Sequence, residues 1–210
     1  MTLTTLKDDI KAFGKKKIEL MNTYSSMKED FQKKLSEGMI GQKWADQELQ
    51  NYKKEADTFS YNTSQSLYKQ LEVEKKNELA RYETAGQSVT ADDVAELSLL
   101  STMKLSSKEM LPYLEKYKNK PLAIKKLLEI IHNDTNLTFI EIDIDKYDNK
   151  QKLEALFHLL TKRIDYFGEG LKVNGDKVDL AIHQSIVESS LKSIDVEVQK
   201  YLTALEPILH

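Results

Sequence analysis

The 210-residue chain contains no cysteine, one tryptophan, three prolines and seven glycines. The lack of cysteine excludes disulfides, thiolate catalysis and cysteine-ligated metal. With so few residues that break helices or form tight turns, an all-β fold and a disordered polymer are both disfavoured. No segment approaches the ~20 consecutive apolar residues of a membrane-spanning helix. The opening Met-Thr-Leu-Thr-Thr-Leu-Lys has no basic region followed by an apolar stretch. Neither a secretory signal nor a membrane partner is therefore expected.

An excess of one charge is lacking too. Charged residues make up 31 % of the chain, but they nearly balance, at a net charge of -3. The longest basic run, Lys15-Lys16-Lys17, reads as a solvated helix surface, because phosphate binding needs many neutralising cations on one face. Direct nucleic-acid binding is not expected. There is no Gly-rich phosphate loop, no serine elbow and no paired acid motif with a supporting base, so a non-enzymatic chain without cofactor or resident metal is expected.

What is present is a helical rhythm. Leu3, Leu6, Ile10, Phe13, Leu20, Tyr24, Met27 and Phe31 recur at alternating steps of three and four, with Lys17 in the one empty slot. That spacing draws an apolar seam along one helix, the pattern by which a helix lies against another. The spacing predicts a helix over 3–37, a reversal at Gly38-Met-Ile-Gly41 with Gly38 as C-terminal cap, and a return helix over 43–83. Ala45, Leu49, Tyr52, Ala56 and Phe59 continue the spacing on the return helix. The apolar register then shifts to Leu67, Leu71, Leu79 and Tyr82, which predicts a bend near Asn62, Thr63, Ser64 and Ser66.

A boundary is expected at Ala85-Gly-Gln-Ser-Val89. Thr90 with Asp92 and Asp93, the capping box Ser106 to Glu109, and Pro121 at a first helical position predict short helices over 91–103, 107–118 and 121–133. Between 137 and 145 the period changes: Ile140, Ile142 and Ile144 alternate with acids, the mark of a strand, and Asn174-Gly175 suits a hairpin turn. Helices over 149–167 and 178–205 complete the chain. The fold class is mainly α: a long N-terminal antiparallel helical hairpin or coiled coil over 1–86, and a compact helical region with a minor β element over 87–210.

Asp143, Asp145 and Glu154 occupy the first, third and twelfth positions of a calcium loop. Tyr147 at the fifth and Asp148 at the sixth depart from it, so an acidic face is the simpler reading. His132, His158, His183 and His210 lack zinc spacing, and His158 and His183 fall beside apolar residues, as partly buried or interfacial groups would. Trp44 either closes the end of the hairpin or, if exposed, anchors an interface. The candidate interface residues are Leu6, Ile10, Phe13, Leu20, Tyr24, Trp44, Tyr52 and Phe59.

The order of parts, a charged hairpin with Gly at its turn, then Val89-Thr-Ala-Asp-Asp-Val-Ala-Glu-Leu97, then Leu105-Ser-Ser-Lys-Glu-Met-Leu-Pro-Tyr-Leu-Glu-Lys-Tyr-Lys-Asn-Lys-Pro121, resembles small helical structural and head-assembly proteins of tailed phages of Gram-positive bacteria. The resemblance is one of layout, carried mostly by 106–121, and transfers no functional residue. It implies a virion structural or morphogenesis protein, in the virion or host cytoplasm, that self-associates and acts on capsid or tail subunits. A second resemblance, to secreted bacterial helical hairpins, rests on Trp and Gly at the bend, although here Gly41 precedes Trp44. It implies the alternative, a cytoplasmic or secretion-linked adaptor that binds one partner protein.

Overall fold

The computed structural model describes residues 2–85, 89–133, 143, 146–173 and 177–209, with side chains to 82 and to 204 in the second and last helices. It is mainly α. Seven helices lie among the described residues: α1 (Leu3–Ser36), α2 (Gln42–Ala85), α3 (Ala91–Leu100), α4 (Ser107–Tyr117), α5 (Pro121–Asn133), α6 (Asn149–Gly168) and α7 (Lys177–Leu209). None of the described residues forms a strand. The alternating segment expected as a strand, and the Asn-Gly turn, fall almost wholly outside the described residues.

The hairpin turn follows its sequence. Gly38 takes the left-handed φ of 69°, and its N–H donates to Leu35 while that of Met39 donates to Lys34, at 3.1 and 2.9 Å. These two bonds satisfy carbonyls that the helix end would otherwise orphan. Across the bend predicted near residue 62, α2 runs on without a break in the helix, over 44 residues in all. The reason lies in the seam. Ala56, Ser60, Ser64, Leu67 and Leu71 are all buried at steps of four and three, so small polar residues carry the stripe where large apolar ones lapse. Ser64 also satisfies its hydroxyl on the Tyr61 carbonyl at 2.8 Å, a local bond that needs no break in the helix.

The chain divides into two compact units, Met1–Glu74 with Phe157–Val198, and Lys75–Leu156 with Gln199–His210. This differs from the expected boundary near 86, because the hairpin is not bare: parts of α6 and α7 belong to its unit. In the first unit, α7 runs antiparallel to α1. Lys11 pairs with Asp195, Asn22 accepts from Gln184, and Glu29 pairs with Lys177, so partner numbers fall on one as they rise on the other. α6 runs antiparallel to α2, with Tyr68 donating to Asp165 and Ser64 against Gly168. A Cβ on Gly168 would come 3.0 Å from that of Ser64, so the small residues of the seam permit close helix approach.

In the second unit, Leu97, Leu100, Met110, Leu114, Tyr117, Ala123, Ile124, Leu127, Ile131 and Tyr147 form one buried cluster. Thr90 with Asp93 and Ser106 with Glu109 are reciprocal capping boxes that fix the starts of α3 and α4. Three buried tyrosines end on glutamates here. Lys116 and Tyr117 both donate to Glu96. Lys146 and Tyr147 donate to Glu115 at 2.6 and 2.7 Å, and the Tyr201 hydroxyl donates to Glu78 at 3.3 Å. Each arrangement lets a buried ring keep its hydroxyl satisfied.

Candidate functional site

The outward face of α2 is rooted in the interior of the first unit. Phe59, 40 % exposed, meets buried Phe13 with ring centroids 6.4 Å apart, and Phe13 in turn meets Phe167 edge-to-face at 6.1 Å. Such pairs contribute about 0.5–1.5 kcal/mol beyond their buried area, so the exposed ring is held in place from below.

A second root is electrostatic. Lys17, only 6 % exposed, donates from Nζ to the carbonyls of Glu169 and Gly170, the turn that leaves α6. The Leu171 N–H, the other end of the Gly170–Leu171 peptide unit, donates to Asp57 Oδ1 at 2.8 Å. A cation on a carbonyl and a carboxylate on the N–H of one peptide align its dipole and tie α1 and α2 to the end of α6. Burial pushes the Lys17 ammonium down to about 8, and the negative charges of Glu169 and Asp57 offset only part of that cost. Lys17 therefore does not lie on a solvated face, as its basic run suggested; Lys15 and Lys16 do.

Asp57 also borders an open groove of about 480 Å³ lined by Gln50, Lys53, Lys54, Thr58 and Tyr61. A neighbouring groove of about 590 Å³, lined by Asn51, Lys54, Glu55, Thr58, Phe59 and Asn62, lies on the same stretch of helix. Both are shallow surface features of α2, suited to side chains of a partner helix rather than to an enclosed small molecule.

The eight expected interface residues separate by burial. Leu6, Ile10 and Phe13 are buried inside the first unit. Leu20, Tyr24 and Tyr52 are half-buried between α1 and α2, where the two tyrosine rings stack at 6.4 Å and Tyr52 donates to the Leu20 carbonyl at 3.3 Å. Phe59 and Trp44 remain open, Trp44 at 50 % exposure and leaning on Phe31 with centroids 5.3 Å apart. Trp44 thus both packs on the hairpin and faces solvent, beside exposed Met39.

A further exposed stripe lies on α7, where Val178, Ile182 and Ile186 follow one another at steps of four. The regular apolar pattern expected on that helix begins only at Val187, and the stripe before it went unread. On α2 the half-exposed Glu48 and the exposed Lys69 and Val73 also stand outside the apolar seam pattern, on a face that is largely polar.

Of the acidic calcium pattern, Asp143 and Glu154 are exposed and Asp145 lies outside the described residues. His158 is exposed rather than half-buried, while His183 is half-buried and faces Asp179 at 3.4 Å. His210 lies outside the described residues. Among the described residues no group of three or more metal-ligating side chains converges, and no helix is long and apolar enough to cross a membrane. No protein-family profile, curated protein or solved structure matches the chain.

Proposed function

We propose that this chain is a non-enzymatic structural or assembly protein of a tailed phage, working through helix-mediated contacts with copies of itself and with capsid or tail subunits. The observation that carries this reading is the pair of solvent-facing helical faces in the first unit. One is α2 from Trp44 to Val73 and the other is the α7 stripe Val178, Ile182 and Ile186, both bearing large apolar side chains that the fold leaves uncovered. Two separate faces on one subunit allow each copy to hold more than one neighbour, so weak contacts multiply through valency. The tailed-phage assignment rests on the layout resemblance of 89–121.

The exposed Met39 and Trp44 at the hairpin turn favour one rival, an adaptor that touches a single partner with its tip. Co-sedimentation with purified capsid and tail subunits of a tailed phage separates the two. The assembly reading expects concentration-dependent self-association and binding to at least one of those subunits. A chain that stays monomeric and binds none of them overturns it.

A further inference from the structure

We propose that two copies of this chain pack α2 against α2, antiparallel, about a two-fold axis that passes between Thr58 and Phe59. The inference deepens the assembly reading and rests on it, naming the partner as a second copy and fixing the register.

The argument begins with geometry. At 3.6 residues per turn, Trp44, Glu48, Asn51, Glu55, Thr58 and their continuations Phe59, Asn62, Ser66, Lys69 and Val73 fall on one side of α2. That side is opposite the buried stripe of Ala56, Ser60, Ser64 and Leu67. All ten are exposed except half-exposed Glu48. The steps run four, three, four, three up to Thr58 and three, four, three, four after Phe59. The pattern is therefore its own mirror about the 58–59 midpoint, as an isologous antiparallel contact requires.

The chemistry matches across that axis. Glu48 of one copy falls opposite Lys69 of the other, twice by symmetry. Among the described residues neither of these side chains has an ion-pair partner within the chain. Trp44 falls opposite Val73, two exposed apolar side chains closing both ends of the contact. Glu55 falls opposite Asn62, whose amide can donate to it. At the centre, Phe59 meets Thr58 over the groove that both residues line, which gives the ring a recess on the partner. Other registers lose this agreement: a shift by one turn puts Glu48 opposite Ser66 or Gln65 and leaves Lys69 without an acid.

The contact spans about 44 Å at 1.5 Å per residue. It is one polar helix face wide, below the usual area of a tight dimer, so an association that weakens with dilution and with salt is expected.

The absence of native cysteine makes the register directly measurable in the full chain. Thr58→Cys places the new thiol beside its own copy at the axis, so mild oxidation should yield disulfide-linked dimers of this single variant. Trp44→Cys alone should not cross-link, since its copies lie about 44 Å apart, whereas an equimolar mixture of Trp44→Cys and Val73→Cys should. Self-linking of Trp44→Cys would show a parallel contact and overturn the proposal. Failure of both expected cross-links, with the chain still associating on dilution series, would also overturn it while leaving the assembly reading intact. Failure of both expected cross-links in a strictly monomeric chain that binds no capsid or tail subunit would sink both. Glu48→Lys should weaken association and Glu48→Lys with Lys69→Glu should restore it, a rescue that a misfolded variant would not give.

Discussion

Lys17 and Asp57 grip opposite ends of one peptide unit: the ammonium binds the Gly170 carbonyl and the carboxylate accepts from the Leu171 N–H. Neither charge is spent on a surface ion pair. Together they fix the exit of α6 beneath the groove on α2, and the stability of the first unit inherits the titration of Lys17.

Stability of the first unit should rise with pH in the alkaline range. The Lys17 ammonium titrates at about 8 when folded, against 10.5 ordinarily, so between those values the unfolded chain holds a proton that the folded chain has released. Stability therefore increases with pH across that window, and the cost of the buried cation is fully present below it. Denaturant midpoints measured from neutral pH upward should show this increase in the natural chain and a flatter profile in Lys17→Met. Equal slopes would contradict it.

Gly14→Ala should destabilise although alanine is the better helix former. An added Cβ would lie 2.8 Å from Leu191 Cδ2 and 2.9 Å from the Phe167 ring. Overpacking of this kind costs about 1–3 kcal/mol, more than the roughly 1 kcal/mol that alanine gains in helix propensity. A lower thermal midpoint checks it; a higher one would mean that α1, α6 and α7 have room to spare.

Ser64→Leu and Ser64→Ala should diverge. Ser64 meets Gly168 at close range, so the larger side chain forces α2 and α6 apart at a cost of about 1–3 kcal/mol. Alanine keeps the approach and should stay within about 1 kcal/mol of the natural chain, the scale of one lost local hydrogen bond. Urea unfolding of the two variants reads the difference.

In the second unit, acid should act through Glu115. Its carboxyl accepts from Lys146, Tyr147 and Lys118, which hold it down to about 2 from 4.5. The contribution is present above 4.5 and lost as pH falls towards 2, because the unfolded chain takes up the proton first. Near-ultraviolet circular dichroism should report loosening around Tyr147 over that interval, and Glu115→Gln should remove part of the acid dependence. The group is exposed, so the effect is modest.

The sequence made the helix ends legible because their signals are local: Gly38, the Thr90 and Ser106 caps, and Pro121 each act within one turn. The first four seam residues of α1 were legible for the same reason, being large and regularly spaced. Beyond Phe13 the buried line passes through Gly14, Lys17, Met21 and Ser25, and on α2 through Ser60 and Ser64. Residues chosen for smallness, or for a carbonyl 152 positions away, do not announce burial in a pattern of apolar side chains. The same effect put Phe59 in the expected seam when it stands one residue off it, facing out. The α2 face was illegible because it is largely polar, and a polar helix face reads as ordinary surface.

The most direct test of the assembly account is sedimentation velocity of the purified full chain over the micromolar to millimolar range, beside Phe59→Lys with Thr58→Lys, which sets like charges against each other across the axis. The account predicts a sedimentation coefficient that climbs with concentration in the natural chain and a much weaker rise in the double variant at unchanged helix content. A coefficient fixed at the monomer value throughout, or an identical rise in both proteins, would contradict it.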